Sequence, residues 1–199
     1  MTLRHAFSSL VPFMLFAAVA LQGCVPAVLG GTTTVGVAAV QERSVGDAVD
    51  DAVTHTSVNE ALFSKDVDLY SAVNVEVVEG RVLLTGSVRK PEDRVEAVRL
   101  AWQANGVREV IDEIQVTDKS GLVDIARDSW ISTQLKSRLL FDKKIDAINY
   151  NVETVNGVVY MIGIAQNKAE LERATNHART IRHVRQVISH VRMKDERMS

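Results

Sequence analysis

The chain has 199 residues, of which 46% are apolar and 24% are charged, as in an ordinary globular protein. Its net charge of −2 at pH 7 argues against a protein that binds nucleic acid through bulk positive charge. A single cysteine, Cys24, excludes an intramolecular disulfide and a zinc site built on cysteines.

Residues 1–23 are typical of a lipoprotein signal peptide. Arg4 precedes an apolar run over 10–21, which is too short to cross a membrane comfortably. The run ends in Leu-Gln-Gly-Cys, which resembles a bacterial lipobox closing at Cys24. This resemblance implies that the Cys24 thiol receives a diacylglycerol and that Cys24 becomes the mature N-terminus. A plain signal peptide with an incidental cysteine is the alternative.

The segment that follows is predicted to be a tether. Residues 25–45 are small and nearly uncharged, so 24–46 are expected to form a lipidated N-terminus and tether. By the same lipobox resemblance, Val25 after the cysteine implies sorting to the outer membrane, where the acyl chains would hold the protein.

The rest of the chain carries one pattern twice. A strand–turn–strand stretch at 73–86 recurs at 150–163, with the turn glycines Gly80 and Gly157 separated by 77 positions. Apolar residues alternate on each side of these glycines, as in a β-hairpin. The same offset of 77 aligns about 70 residues without a gap, which indicates an internal duplication.

The first copy is predicted to fold in the order α-β-β-α-β. Its elements are a helix near 51–64, the hairpin strands, a helix from Pro91 to about 104, and a strand over 110–116. Val95, Val98 and Trp102 recur at helical spacing and predict the buried face of the second helix. Trp102 is therefore expected in the core rather than at a ligand.

The second copy repeats this order. Its elements are a helix near 128–141, strands near 150–155 and 158–165, a helix near 168–181 and a strand near 186–193. The middle strand is apolar on both faces, which predicts a sheet covered on both sides, with the first copy as the expected cover.

The two copies differ in charge. Residues 47–117 hold 14 acidic and 7 basic side chains, a net charge of −7, whereas 124–199 hold 9 acidic and 13 basic ones, a net charge of +4. The copies are expected either to attract each other or to meet different partners.

Several short motifs resemble the BON domain. In the first copy they are Asp51, Gly80, Val82–Gly86 and Gly106–Val110. In the second they are Asp128, Gly157, Val159–Gly163 and Val184–Val187, with His183 where the family usually has glycine. Two such units behind a lipobox resemble the dual-BON outer-membrane lipoproteins of the DolP type.

This resemblance implies an α+β fold of two tandem BON domains, each with two helices packed on a three-stranded mixed sheet. The domains are expected at 47–117 and 124–194, joined by a linker at 118–123 and followed by a tail at 195–199. The resemblance also implies a non-enzymatic, lipid-anchored outer-membrane protein that faces the periplasm. Its implied roles are phospholipid binding and outer-membrane integrity, with links to the division site and to outer-membrane assembly proteins.

The first helix of the second copy carries the candidate binding face. Ile131, Leu135 and Leu139 are expected to face the core. On a different stripe of this helix, the second copy has Arg127, Trp130, Ser137 and Phe141 where the first copy has Asp50, Val53, Glu60 and Ser64. The candidate phospholipid-binding residues are Arg127, Trp130, Gln134, Lys136, Ser137, Arg138 and Phe141.

An aromatic ring favours the headgroup layer, and cations favour anionic lipids such as phosphatidylglycerol and cardiolipin. In the alternative, Trp130 packs into the core or between the two units, and the cations are simply solvated.

No enzyme is expected. The chain has no HExxH pair and no nucleophile motif, and Asp51 and Asp128 are expected at helix starts rather than as a catalytic pair. No metal, cofactor or nucleic-acid partner is expected. The alternative to lipid binding is a scaffold for outer-membrane assembly machinery, contacted through the acidic first unit or the apolar back of the second sheet.

Overall fold

The structure is a computed structural model that describes residues 44–117 and 122–197. The predicted signal peptide, Cys24 and all but the end of the tether lie outside these residues, as do 118–121 of the linker and the last two residues of the tail. Both repeats belong to one compact unit. Within the described ranges, no helix has the length and apolar character needed to cross a bilayer.

The first repeat has two helices on one face of a mixed sheet, with a short extra helix between the first helix and the hairpin. Its elements are α1 (Val45–Lys65), α2 (Val67–Ala72), β1 (Val73–Val78), β2 (Arg81–Val88), α3 (Pro91–Gln103), β3 (Glu109–Asp112) and β4 (Gln115–Val116). Strand β1 is antiparallel to β2, while β3 and β4 are both parallel to β2. The single third strand predicted over 110–116 is thus interrupted, at the point where the Asp112 carboxylate accepts the backbone N–H of Ile114 (3.1 Å).

The second repeat has the predicted order with an uninterrupted third strand. Its elements are α4 (Leu122–Phe141), β5 (Tyr150–Val155), β6 (Val158–Ala165), α5 (Lys168–Arg179) and β7 (Gln186–Met193). Strand β5 is antiparallel to β6, and β7 runs parallel to β6 over eight residues. The α+β class with two mixed sheets is confirmed, and the three strand ranges are those predicted.

Both first helices begin earlier than predicted. Ser44 caps α1 by accepting the backbone N–H of Asp47 (3.1 Å), while the Asp47 carboxylate accepts from the Ser44 backbone (3.3 Å). This capping box starts the helix at Val45 rather than at 51.

Asp51 and Asp128 therefore do not start helices, and that prediction is wrong. They lie within α1 and α4 and hold the hairpin turns instead. The Asp51 carboxylate accepts the backbone N–H groups of Glu79 and Gly80, both at 2.8 Å. Asp128 does the same for the second turn (2.6 and 2.8 Å).

Each repeat buries a core between its helices and one face of its sheet. In α4, the predicted core residues Ile131, Leu135 and Leu139 are confirmed as fully buried. Of the predicted face of α3, Val98 packs against the core, but the prediction is wrong for Trp102, which is 53% exposed, and for Val95, which is exposed as well. The buried residues of α3 are Ala97, Leu100 and Ala101, whose mostly small side chains let the helix lie close to the sheet.

The backs of the two sheets pack against each other, as expected from the apolar middle strand of the second copy. The buried cluster between them consists of Val78, Leu83, Val155, Tyr160, Ile162 and Ile164. The apolar back of the second sheet is thus covered by the first repeat.

Polar contacts join the two repeats at the edge of this buried cluster, which is the seam between the sheets. The buried Arg81 guanidinium donates to the carbonyl oxygen of His190 (2.9 Å), and Arg192 pairs with Glu109 at 2.8 Å. The imidazole of His190 lies 2.9 Å from the Glu113 carboxylate. Acidic groups of the first repeat therefore meet basic groups of the second, which is one of the two outcomes expected from their opposite charges.

Candidate functional site

A cleft of about 820 Å³ lies between α4 and α5 of the second repeat. Five of the predicted binding residues line it: Trp130, Gln134, Ser137, Arg138 and Phe141. They meet because positions three, four and seven apart lie on one side of a helix. Five further lining residues were missed from the sequence: Thr133 on α4, Asp142 and Lys143 after it, and Arg173 and His177 on α5.

The aromatic side chains of this cleft face solvent. Trp130 is 47% exposed and Phe141 is 83% exposed. The alternative in which Trp130 packs into the core or between the units is therefore wrong. Exposed aromatic rings close to cations are typical of surfaces that contact a partner or a membrane.

Arg138 supplies positive charge to the cleft. Its guanidinium donates to the Thr180 hydroxyl (2.9 Å) and to the carbonyl oxygen of His177 (3.4 Å), and neither acceptor carries a charge. These two bonds orient the side chain while leaving its charge uncompensated by them. Lys143 is exposed beside it.

Asp142 is the acid that lines this cleft, and three donors occupy it. His177 Nε2 lies 2.7 Å from Asp142 Oδ2, Arg173 Nε donates to the same oxygen, and the Lys144 backbone N–H donates to Oδ1 at 3.0 Å. Hydrogen bonds from His177, from the Lys144 backbone and from Arg173 hold the pKa of Asp142 well below its ordinary value. With Asp142 occupied in this way, Arg138 and Lys143 are left to attract an anion.

The Asp142–Arg173 ion pair has a counterpart in the first repeat. At the offset of 77, the pair corresponds to Lys65 and Glu96, whose side chains lie 3.1 Å apart. The same two positions thus join the end of α1 to α3 in the first repeat and the end of α4 to α5 in the second, with the charges exchanged. This pair is best explained as a structural tie, whereas the exposed ring of Trp130 has no such role.

Two predicted residues do not line this cleft. Arg127 lies on the same stripe of α4, one turn before Trp130, and pairs with Asp124 at 2.7 Å. Lys136 lies on another side of α4, where its ammonium is 3.6 Å from Glu153. Lys136 follows Trp130 by six residues, which at about 100° per residue places it about 120° around the helix from Trp130 and so off that side.

Among the described residues, no group of three or more His, Cys, Asp or Glu side chains is placed to hold a metal ion.

The BON-domain family matches this chain twice, at residues 50–118 and 127–195. Over 151 residues the chain is 42% identical to an uncharacterized protein in the gshII 5′ region of Anaplasma centrale, covering 75% of this chain and 99% of that protein. It is 35% identical to the outer membrane lipoprotein DolP of Haemophilus influenzae, over 88% of this chain and 91% of that protein. It is also 38% identical to a 21 kDa hemolysin of Actinobacillus pleuropneumoniae, over 75% and 77% respectively.

Proposed function

The chain belongs to the BON-domain family, with two BON domains as in DolP, and on that premise we propose that it is an outer-membrane lipoprotein that binds anionic phospholipid through its second domain. Acyl chains on Cys24 anchor it with both domains in the periplasm, and its activity is binding rather than catalysis. Its role is to support outer-membrane integrity, including at the division site. The lipobox and the similarity to DolP support the location.

The observation that carries the lipid proposal is the exposed Trp130 and Phe141 beside Arg138 and Lys143. The two rings enter the headgroup layer, where an amphipathic aromatic side chain is favoured. The cations then contact phosphate oxygens, and each contributes about 1 kcal/mol near an anionic surface. Phosphatidylglycerol and cardiolipin supply that charge, whereas phosphatidylcholine is neutral overall.

Vesicle co-sedimentation tests the proposal. A chain that begins at residue 25, without acyl chains, keeps every described contact because all described residues lie between 44 and 197. We expect it to bind vesicles that contain phosphatidylglycerol or cardiolipin, and to bind phosphatidylcholine vesicles much more weakly. Trp130→Glu and Arg138→Glu should each weaken binding several-fold, and added salt should weaken binding of the parent chain.

Lys90→Glu is the matched control, because it makes the same change of charge as Arg138→Glu at an exposed site in the first repeat. Its binding should differ little from that of the parent chain. Equal binding by the parent chain and by both site variants would refute the proposal.

The second candidate function is a scaffold for outer-membrane assembly proteins, for which the acidic first unit and the back of the second sheet were the predicted surfaces. The back of the second sheet is covered, but the first repeat exposes Phe63 and Tyr70, whose rings pack edge to face with centroids 5.5 Å apart. A protein contact through these apolar rings should persist at salt concentrations that release the chain from anionic vesicles.

A further inference from the structure

A second cationic cleft lies at the N-terminal end of α4. It has a volume of about 670 Å³, and its charged lining comes from Arg127, His183, Arg185 and Asp124, around the hairpin turn of the second repeat. Of these residues, only Arg127 was among the binding residues predicted from the sequence. The inference below rests on the proposed function and extends it.

The two clefts share one stripe of α4. Arg127 lies three residues before Trp130 and seven residues before Gln134, which places the three side chains on one side of the helix. Fourteen residues separate Arg127 from Phe141, a distance of about 21 Å at 1.5 Å per residue. A flat surface laid along this stripe reaches both clefts.

The second cleft has more positive than negative charge. Arg127 pairs with Asp124 at 2.7 Å, and Asp124 is the one carboxylate among the described residues that line the cleft. Arg185 donates to the carbonyl oxygen of Asn156 (3.2 Å), which orients the guanidinium without compensating its charge. His183 is exposed beside it.

His183 has a backbone conformation that favours glycine. Its φ angle is +71°, and the equivalent residue of the first repeat is Gly106, at φ +84°. Side chains are uncommon at such a φ, although histidine adopts it more often than most residues, and backbone outliers of this kind cluster at functional sites. The second repeat thus places an imidazole at a position that favours glycine.

The first repeat shows that the fold does not need a cation at the positions of Arg127 and His183, whereas Arg185 has a counterpart there in Arg108. Its equivalent cleft is lined by Asp47, Asp50 and Glu79 around Arg108. At the offset of 77, Arg127 corresponds to Asp50 and His183 to Gly106. The hairpin closes in both repeats, so the exchange of charge changes the surface rather than the framework.

The neighbouring apolar surface favours a lipid over a soluble anion. Val123 lies one turn before Arg127 on the same stripe and is 71% exposed. A soluble phosphate offers nothing to an exposed valine, whereas a headgroup layer accepts an apolar side chain next to cations.

We propose that Arg127, His183 and Arg185 form a second site for the phosphate of an anionic lipid headgroup. The helix α4 then lies along the membrane surface and contacts separate headgroups near its two ends. Trp130 inserts between these two contacts, and Val123 inserts at the N-terminal side of the first one.

His183→Gly and Arg185→Glu in the chain from residue 25 test this proposal against phosphatidylglycerol vesicles. We expect His183→Gly to retain or raise the melting temperature, because glycine adopts this φ angle readily, and to bind vesicles several-fold more weakly. Arg185→Glu should weaken binding at least fivefold. The matched control is Arg108→Glu, the same change at the equivalent position of the first repeat, which should leave binding within twofold.

The outcomes separate this inference from the proposed function. Unchanged binding by both Trp130→Glu and Arg138→Glu overturns the function itself. Weak binding by Trp130→Glu together with parental binding by His183→Gly and Arg185→Glu overturns the second site alone.

Two further arms test the identity of the ligand. Calorimetric titration with inorganic phosphate should show no binding at the concentration of vesicle phosphate. Phosphate binding that is lost in Arg185→Glu, with vesicle binding unchanged, would assign the cleft to a free anion. Self-association without vesicles that is lost in Arg185→Glu, with vesicle binding again unchanged, would assign it to a second copy of the chain. Either result overturns the lipid site.

Discussion

Asp51 shows how one buried side chain fixes a turn. Its carboxylate accepts two backbone N–H groups of the first hairpin turn, where Glu79 and Gly80 both have positive φ angles. Asp51→Asn removes one acceptor and the charge, and should lower the free energy of unfolding by about 1.5–3 kcal/mol, as expected for a hydrogen bond to a charged group. Urea denaturation measures this loss. Asp50→Asn, at the exposed neighbouring position, should change stability little, and equal effects would contradict the role given to Asp51.

Glu96 gives the stability a predictable pH dependence. Hydrogen bonds from Arg99 and from Lys65 lower its pKa from 4.5 to about 2. A carboxyl group whose pKa is lower in the folded state stabilises the fold above the unfolded pKa, and this contribution disappears as the pH falls through the folded one. Glu96→Gln should therefore be less stable than the parent chain at pH 6, and the difference should vanish toward pH 2. A difference that stays constant between these pH values would contradict this explanation.

At the scale of the residue, the sequence identified important positions more reliably than their roles. The repeated spacing singled out Asp51 and Asp128, but aspartate is common both at helix starts and in turns, and the cap at Ser44 took the first role. The prediction placed Trp102 in the core because Val95, Val98 and Trp102 recur at helical spacing, as the buried residues of α3 also do. The choice between the two faces of α3 depends on how closely Ala97 and Ala101 approach the sheet, which no local pattern reveals.

One side of the helix α4 packs in the core, and another side is exposed to solvent. Leu135 lies in the core and is fully buried, while Phe141 extends into solvent. Leu135→Ala should lower the free energy of unfolding by about 2–5 kcal/mol, because it leaves a cavity. Phe141→Ala should change stability by less than about 0.5 kcal/mol, as at other surface sites, and should weaken vesicle binding. Urea denaturation and co-sedimentation measure the two effects, and a large loss of stability in Phe141→Ala would contradict the division.

At the scale of the element, the comparison of the two copies predicted the candidate site better than a single copy could. It separated the core-facing side of α4 from the side that holds Trp130, where the residues of the two copies differ. It could not find Arg173 and His177, because they lie on α5 and reach the cleft only through the packing of two helices. Lys136 was included by its charge, and its position on another side of α4 shows that charge alone does not assign a face.

The seam between the sheets makes the two repeats depend on each other. Leu83 of the first sheet and Ile162 of the second are both fully buried there. Leu83→Asp places a charge in this cluster and should separate the repeats, because an unpaired buried charge is costly. Urea denaturation should then show two transitions instead of one. Leu140→Asp, at an exposed position, should keep a single transition, and a single transition in Leu83→Asp would contradict the coupling.

At the scale of the whole molecule, the sequence predicted that the sheets meet but not how. The continuous apolar run of β6 indicated a covered strand, and the first repeat covers it. The polar contacts at the edge of the seam could not be predicted, since Arg81 and His190 are 109 positions apart and Arg192 and Glu109 are 83 apart. Such pairs depend on the register between the sheets, which the pattern of neither repeat contains.

Fluorescence of Trp130 tests the central claim most directly. The chain has two tryptophans, so Trp102→Phe leaves Trp130 as the sole reporter. We expect its emission to shift to the blue when phosphatidylglycerol vesicles are added and brominated lipid to quench it, because the indole leaves water for the headgroup layer. Emission that stays unchanged while the protein co-sediments with the vesicles would contradict the account.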